Sequence, residues 1–155
     1  MIDLRASAKG VRGELWLYGD IGGDMFGDGI LAKDVAGAMK TLGNASEVDV
    51  YLNSYGGSVF EGIAIFNILR RHPAKITTHV DGIAASVASV IAMAGNSIEI
   101  SANAFLMIHN AWGMAMGDGD AMRRAAHDID LATESIAQAY AGRRNGDLDR
   151  IKGWM

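Results

Sequence analysis

Apolar stretches that alternate like strands are followed, again and again along this chain, by stretches with helical spacing. That alternation limits the fold more than any other feature. Glu14-Leu15-Trp16-Leu17-Tyr18-Gly19 reads as a strand closed by glycine, and a Gly/Asp loop follows from Asp20 to Gly29. Ile30 to Leu42 carries Leu31, Val35, Ala38, Met39 and Leu42 at helical spacing and stops at Gly43. Val48 to Leu52 is the next strand. Val59 to Arg71 is the next helix, with Ile63, Phe66, Ile68 and Leu69 as its expected apolar side and Pro73 as its stop. Lys75 to Val80 reads as a strand ending in an Asp81-Gly82 turn, and Ala84 to Ala94 as a helix of small residues. Ser97 to Ile100 and Phe105 to Ile108 are short strands, and Asp120 to Arg144 is one long polar helix with Ile129, Ile136 and Tyr140 on one side. Strands alternating with helices imply an α/β fold, a parallel sheet built from right-handed βαβ units. No repeat, low-complexity stretch or linker divides the chain, so residues 1–155 read as a single domain.

Composition excludes several function classes. A chain of 155 residues with net charge −4 lacks the excess of Lys and Arg that phosphate binding needs, so no nucleic-acid partner is expected. The absence of Cys removes disulfides, thiolate nucleophiles and zinc-thiolate sites together. The four His and eighteen acids show no metal-ligand spacing, and no nucleotide-binding motif appears, so the chain is read as needing no cofactor. No apolar stretch approaches the ~20 residues of a membrane span, and no signal-like segment opens the chain. The expected setting is cytoplasmic.

Chemistry in parallel sheets gathers where strands end and helices begin. Two segments sit at such points. Ser86, in Gly82-Ile83-Ala84-Ala85-Ser86-Val87, opens a helix after a strand, where unpaired N–H groups and the positive end of the helix dipole favour developing negative charge. By itself such a serine is more often a packing or capping residue. The pair Gly56-Gly57 follows the strand ending at Leu52 and can aim a backbone N–H at a carbonyl oxygen with no Cβ in the way, although a Gly-Gly pair is also an ordinary turn. His109 ends the apolar strand from Ala104, where an imidazole can serve a serine as general base. His72 and His127 read as solvent-side residues, and the sequence suggests no role for His79.

Taken in order, these segments resemble the ClpP family, the proteolytic subunit of Clp proteases, within the ClpP/crotonase fold group. Tyr51-Leu52-Asn53-Ser54-Tyr55-Gly56-Gly57-Ser58-Val59 is similar to the family's oxyanion segment, Gly82 to Ser86 to its nucleophile segment, and Met107-Ile108-His109-Asn110 to its histidine segment. The resemblance runs from about Leu15 to Arg150 and implies Ser86 as nucleophile, His109 as base, and the N–H groups of Gly57 and Val87 as the oxyanion hole. It implies a peptide substrate lying as an added strand between Gly56, Ser58, Val59 and Phe60 on one side and Ala111, Trp112, Gly113 and Met114 on the other. Within the family, the segments Tyr18 to Gly22, Val59 to Asn67, Arg70 to Lys75 and Ser89 to Gly95 resemble the phage and prophage branch. That implies cleavage of capsid or scaffold protein during head maturation in a bacterial host. The long helix resembles the handle that interlocks two stacked rings of seven subunits.

Two departures stand out. Tyr55 replaces the family's usual Pro, and the acid that completes the triad after the long helix has no counterpart before the chain stops at Ile151 to Met155. Asp147 and Asp149 both precede the expected position, so the third triad residue is unassigned and the domain reads as lacking its C-terminal segment. Three other readings share the fold: a ClpP subunit fed by an ATP-driven unfoldase, a catalytically defective assembly protein that keeps the architecture, and a crotonase-type acyl-CoA enzyme.

Overall fold

A computed structural model describes residues 11–23, 29–143 and 146–155, together with the backbone of residues 3–9. Part of the Asp20–Gly29 loop and the expected helix end at Arg144 lie outside the described residues. The chain forms two compact units, Met1–Met107 and Ile108–Met155.

The first unit is built on a six-stranded sheet. Strands β1 (Asp3–Lys9) and β2 (Arg12–Tyr18) form an antiparallel hairpin at its edge. The sheet then runs parallel through β3 (Glu47–Ser54) to β4 (Lys75–Ala85). Strand β4 pairs with β5 (Ser97–Ile100) along its first half and with β6 (Phe105–Met107) along its second. The helices of this unit are α1 (Ala32–Thr41), α2 (Val59–Arg71) and α3 (Val87–Ala92). Leu15, Leu17, Val48, Val50, Leu52, Ile76 and Val80 are fully or almost fully buried, every second residue of their strands, as a sheet with one helix-covered face requires. The Thr78 hydroxyl donates to the Ala92 carbonyl at 2.9 Å, tying α3 to β4.

The α/β reading with a parallel sheet therefore holds, and the differences from it have local causes. Of the edge hairpin only β2 is marked in the sequence, because β1 is built largely of Asp3, Ala6, Ala8 and Lys9, all weak strand formers. Asp81-Gly82 is not a turn. Strand β4 continues to Ala85 because β6 supplies a second partner for Ile83, Ala84 and Ala85. Gly82 is instead a point of close approach, where a Cβ would lie 2.7 Å from Asn53 Oδ1, beside a register shift between Leu52 and Ser54. Ala84 and Ala85 thus belong to the strand, and α3 is only six residues long. The buried stripe of α2 is Gly62, Ile65 and Leu69 rather than the expected Ile63, Phe66 and Ile68 with Leu69. Gly62 is there because a Cβ would sit 2.1 Å from Val87 Cγ2, so α2 crosses α3 at its first residue.

In the second unit, α4 (Gly119–Ala141) starts at Asp118, whose carboxylate accepts the Ala121 N–H at 2.8 Å. Its exposed N-terminal turns carry Met122 and Leu131, while Ile136, Ala137, Tyr140 and Ala141 are buried. A short helix absent from the sequence reading, α5 (Leu148–Lys152), packs on α4 through buried Ile151 and a Lys152–Glu134 ion pair. Among the described residues no helix is long and apolar enough to cross a membrane.

Candidate active site

Ser86 occupies the turn between β4 and α3 with φ 54° and ψ −132°, and it is the one non-glycine residue with positive φ among the described residues. Such backbone costs about 1–3 kcal/mol and persists only where surrounding structure enforces it. The enforcement is visible. The Ser86 N–H donates to the Met107 carbonyl of β6 at 2.9 Å, and its carbonyl accepts the Ser89 N–H at 3.0 Å and the Ser89 hydroxyl at 2.5 Å. Its neighbours Ala84, Ala85, Val87 and Ala88 are all buried, while Ser86 itself stays half-buried. A sharp strand-to-helix turn of this kind presents a hydroxyl at the edge of the sheet, beside the free N–H groups of a helix start.

The glycine pair lies against this turn. A Cβ on Gly56 would come within 2.6 Å of Ser86 Cβ and 3.2 Å of its Oγ, so only glycine lets the two segments meet. Gly56 and Gly57 have φ +100° and +140°. The Gly56 N–H is held by Ser54 Oγ at 3.1 Å. Ile21 brackets Gly57: its N–H donates to the Gly56 carbonyl at 2.8 Å, and its carbonyl accepts the Ser58 N–H at 2.7 Å. In such a parallel bridge the bracketed residue turns its own N–H to the opposite side. Neither bond uses the Gly57 N–H, which therefore points away from Ile21. Val87 is the first residue of α3, so its N–H has no carbonyl one turn back. Ser58 caps α2, and Val59 and Phe60 form its first turn, Phe60 being 76% exposed.

His109 and Ala111 to Met114 belong to the second unit. His109 is half-buried. The Ala111 N–H donates to Thr133 Oγ1 of α4 at 3.1 Å, and a Cβ on Gly113 would lie 3.5 Å from Ile129 Cδ1, so this segment lies along α4. Trp112 and Met114 are largely exposed. Of the two acids considered for the triad, Asp147 caps α5 by accepting the Arg150 N–H at 3.1 Å, and Asp149 is exposed in the same helix.

A second polar cluster of the first unit went unread in the sequence. Trp16, Tyr51 and His79 are direct cross-strand partners, and their rings stack at 5.2 and 4.7 Å. Beside them Asp49, with a side chain 3% exposed, accepts from Arg12 Nε at 2.5 Å and bonds His79 Nε2 at 2.9 Å, while His79 Nδ1 meets Glu99 at 3.2 Å. The Arg12 hydrogen bond leads in holding the Asp49 carboxyl below the usual carboxylate range, and His79 adds to it. A depressed carboxylate stabilises the fold above its unfolded value, near 3.9, and loses that contribution as pH falls through the folded value. Asp49→Asn is therefore expected to lose about 1–3 kcal/mol at pH 7. It is also expected to flatten the decline in melting temperature between pH 5 and pH 3, as read by thermal denaturation across that range.

A strained serine on a strand-to-helix turn, set against a glycine pair beside a helix start, marks an α/β protein with a parallel sheet. A Clp protease sequence profile matches residues 28–155, and the chain belongs to the Clp protease family. Curated relatives include the ATP-dependent Clp protease proteolytic subunit of Pleurastrum terricola, 32% identical over 73% of this chain and 59% of that protein. The same-named subunit of Ligilactobacillus salivarius is 38% identical over 68% of this chain and 56% of that protein. That of Bacteroides thetaiotaomicron is 29% identical over 68% and 49%. The chain thus spans about half to three-fifths of the length of these relatives.

Proposed function

We propose that this chain is a ClpP-type serine endopeptidase that hydrolyses extended peptide chains without using ATP itself. The observation that carries the reading is the backbone of Ser86, a non-glycine residue held at φ 54° on a β4–α3 turn against Gly56. A merely structural serine has no reason to hold so costly a conformation. In the proposed reaction His109 takes the Ser86 proton as the Oγ attacks the scissile carbonyl carbon. The N–H groups of Gly57 and Val87 receive the oxyanion. His109 then protonates the leaving amine, and water releases the acyl group by the same steps in reverse order. The peptide is held as an added strand by Gly56 to Phe60 and Ala111 to Met114. Subunits assemble into stacked rings through α4, whose exposed N-terminal turns bear Met122 and Leu131.

The finer reading is head maturation, with phage capsid or scaffold protein as substrate. It is supported by the resemblance of Tyr18 to Gly22 and Val59 to Asn67 to the phage branch. A second reading, a subunit fed by an ATP-driven unfoldase, is favoured by the relatives, which are proteolytic subunits of ATP-dependent Clp proteases. Incubation with casein and with phage coat and scaffold proteins, without ATP or an unfoldase, separates the two. The head-maturation reading predicts discrete fragments from coat or scaffold protein in that mixture. Cleavage that appears only when ATP and an unfoldase are added would contradict it.

A further inference from the structure

We infer that Glu61 is a positioning residue for the oxyanion donor Gly57, acting through a closed ring of hydrogen bonds; the inference rests on the serine peptidase reading above. The ring can be followed residue by residue. Glu61 stands in the first turn of α2, whose cap Ser58 follows Gly57 directly, and its N–H lies 3.5 Å from Ser58 Oγ. Its carboxylate reaches away from α2 and accepts the Ala32 N–H, the first amide of α1, at 2.6 Å. Two residues earlier Ile30 grips both flanks of Ile21: its N–H donates to the Asp20 carbonyl and its carbonyl accepts the Gly22 N–H, each at 2.9 Å. Ile21 grips both flanks of Gly57 in the same way, at 2.8 and 2.7 Å. Gly57 leads back through Ser58 to Glu61.

The ring is tightly filled. Ile21 and Ile30 are 2% and 1% exposed. A Cβ on Gly22 would lie 2.7 Å from Ser58 Cβ and 3.7 Å from Glu61 Cγ, so the Ile21 segment is pressed between the cap of α2 and the Glu61 stem. A hydrogen bond to a charged acceptor is stronger than a neutral one, and it lies at a helix N-terminus where a carboxylate is favoured. Oxyanion donors act only when they are held in place before the charge develops. The Glu61 carboxylate is engaged by the Ala32 N–H, and its effect reaches the reaction through the peptide plane of Gly57.

Three variants test this. Glu61→Ala removes the acceptor. Ala32→Pro removes the donor from the other side without touching α2, and Pro fits there because Ala32 is the first helical residue and Leu31 is already extended at φ −98°, ψ 145°. Glu61→Gln keeps an acceptor oxygen. Glu61→Ala and Ala32→Pro are expected to lower kcat on a fluorogenic peptide about tenfold with KM within about twofold, a fraction of what loss of a whole oxyanion donor costs. Both are also expected to speed amide hydrogen exchange about tenfold in peptides covering residues 19–23 and 55–60. Glu61→Gln is expected to stay within about twofold of wild type in both readouts. Wild-type kcat and exchange in Glu61→Ala, or no rescue by Gln, would overturn the proposal. If the wild type hydrolyses no peptide and Ser86 carries no probe adduct, it is the peptidase reading that fails. Exchange then decides the coupling alone: faster exchange in Glu61→Ala and Ala32→Pro but not in Glu61→Gln supports the ring, and unchanged exchange overturns it.

Discussion

Replacing Ser86 with Ala is expected to reduce peptide hydrolysis by roughly 10⁵-fold or more, to the level of the oxyanion hole acting alone. The backbone makes a second, opposite effect available at the same residue. Alanine has a Cβ and tolerates φ 54° no better than serine, so Ser86→Ala should melt within about 2 °C of wild type. Glycine occupies positive φ freely, so Ser86→Gly should raise stability by about 1 kcal/mol or more while abolishing hydrolysis. In a protein of this size that is a gain of roughly 2–4 °C in melting temperature. Loss of activity together with a gain of stability at one residue is the signature of strain held for chemistry. If Ser86→Gly is less stable than wild type, the strained-turn argument is wrong even if the serine is the nucleophile.

Gly57→Ala is the second large effect. A Cβ there would lie 2.1 Å from the Ile21 carbonyl oxygen and 3.0 Å from its carbon, backbone atoms that cannot swing aside as a side chain would. The φ of +140° adds backbone strain for any L side chain. The Gly56–Ile21–Ser58 bracket must open, and the Gly57 N–H turns with it. Expected is a fall in kcat of about 10²–10³-fold, the range for loss of one oxyanion donor, with KM changed far less. Steady-state kinetics on a short fluorogenic peptide reads both. A fall confined to KM would place Gly57 in substrate binding rather than in stabilising the transition state.

How much of this was legible in the sequence depends on whether the governing contact is local. The bounds of α2 were readable to the residue because helical spacing begins at Val59 and Pro73 closes it, both local signals. The strands β3 and β5 followed from alternation alone. Strand β4 was cut short in the sequence because Asp81-Gly82 carries a local turn signal, and the pairing with β6 that overrides it lies more than twenty residues away. The same strand extension moves Ser86 from inside a helical turn to the strained residue before it, which no periodicity encodes. Ser86 and the glycine pair were found from their position at strand ends. Ile21 and Ala32 were not, because each acts through its backbone, and Glu61 was not, because the Ala32 amide its carboxylate accepts lies 29 residues away. His79 had no sequence role because its partners Asp49 and Glu99 come from two other strands.

Whether Ser86 is an activated nucleophile is decided by intact mass after incubation with a fluorophosphonate probe. A single adduct is expected on the wild-type protein, mapped to Ser86 by peptide mass, and none on Ser86→Ala. A folded wild-type protein that gains no adduct, or an adduct that persists in Ser86→Ala, would contradict a nucleophilic role for Ser86.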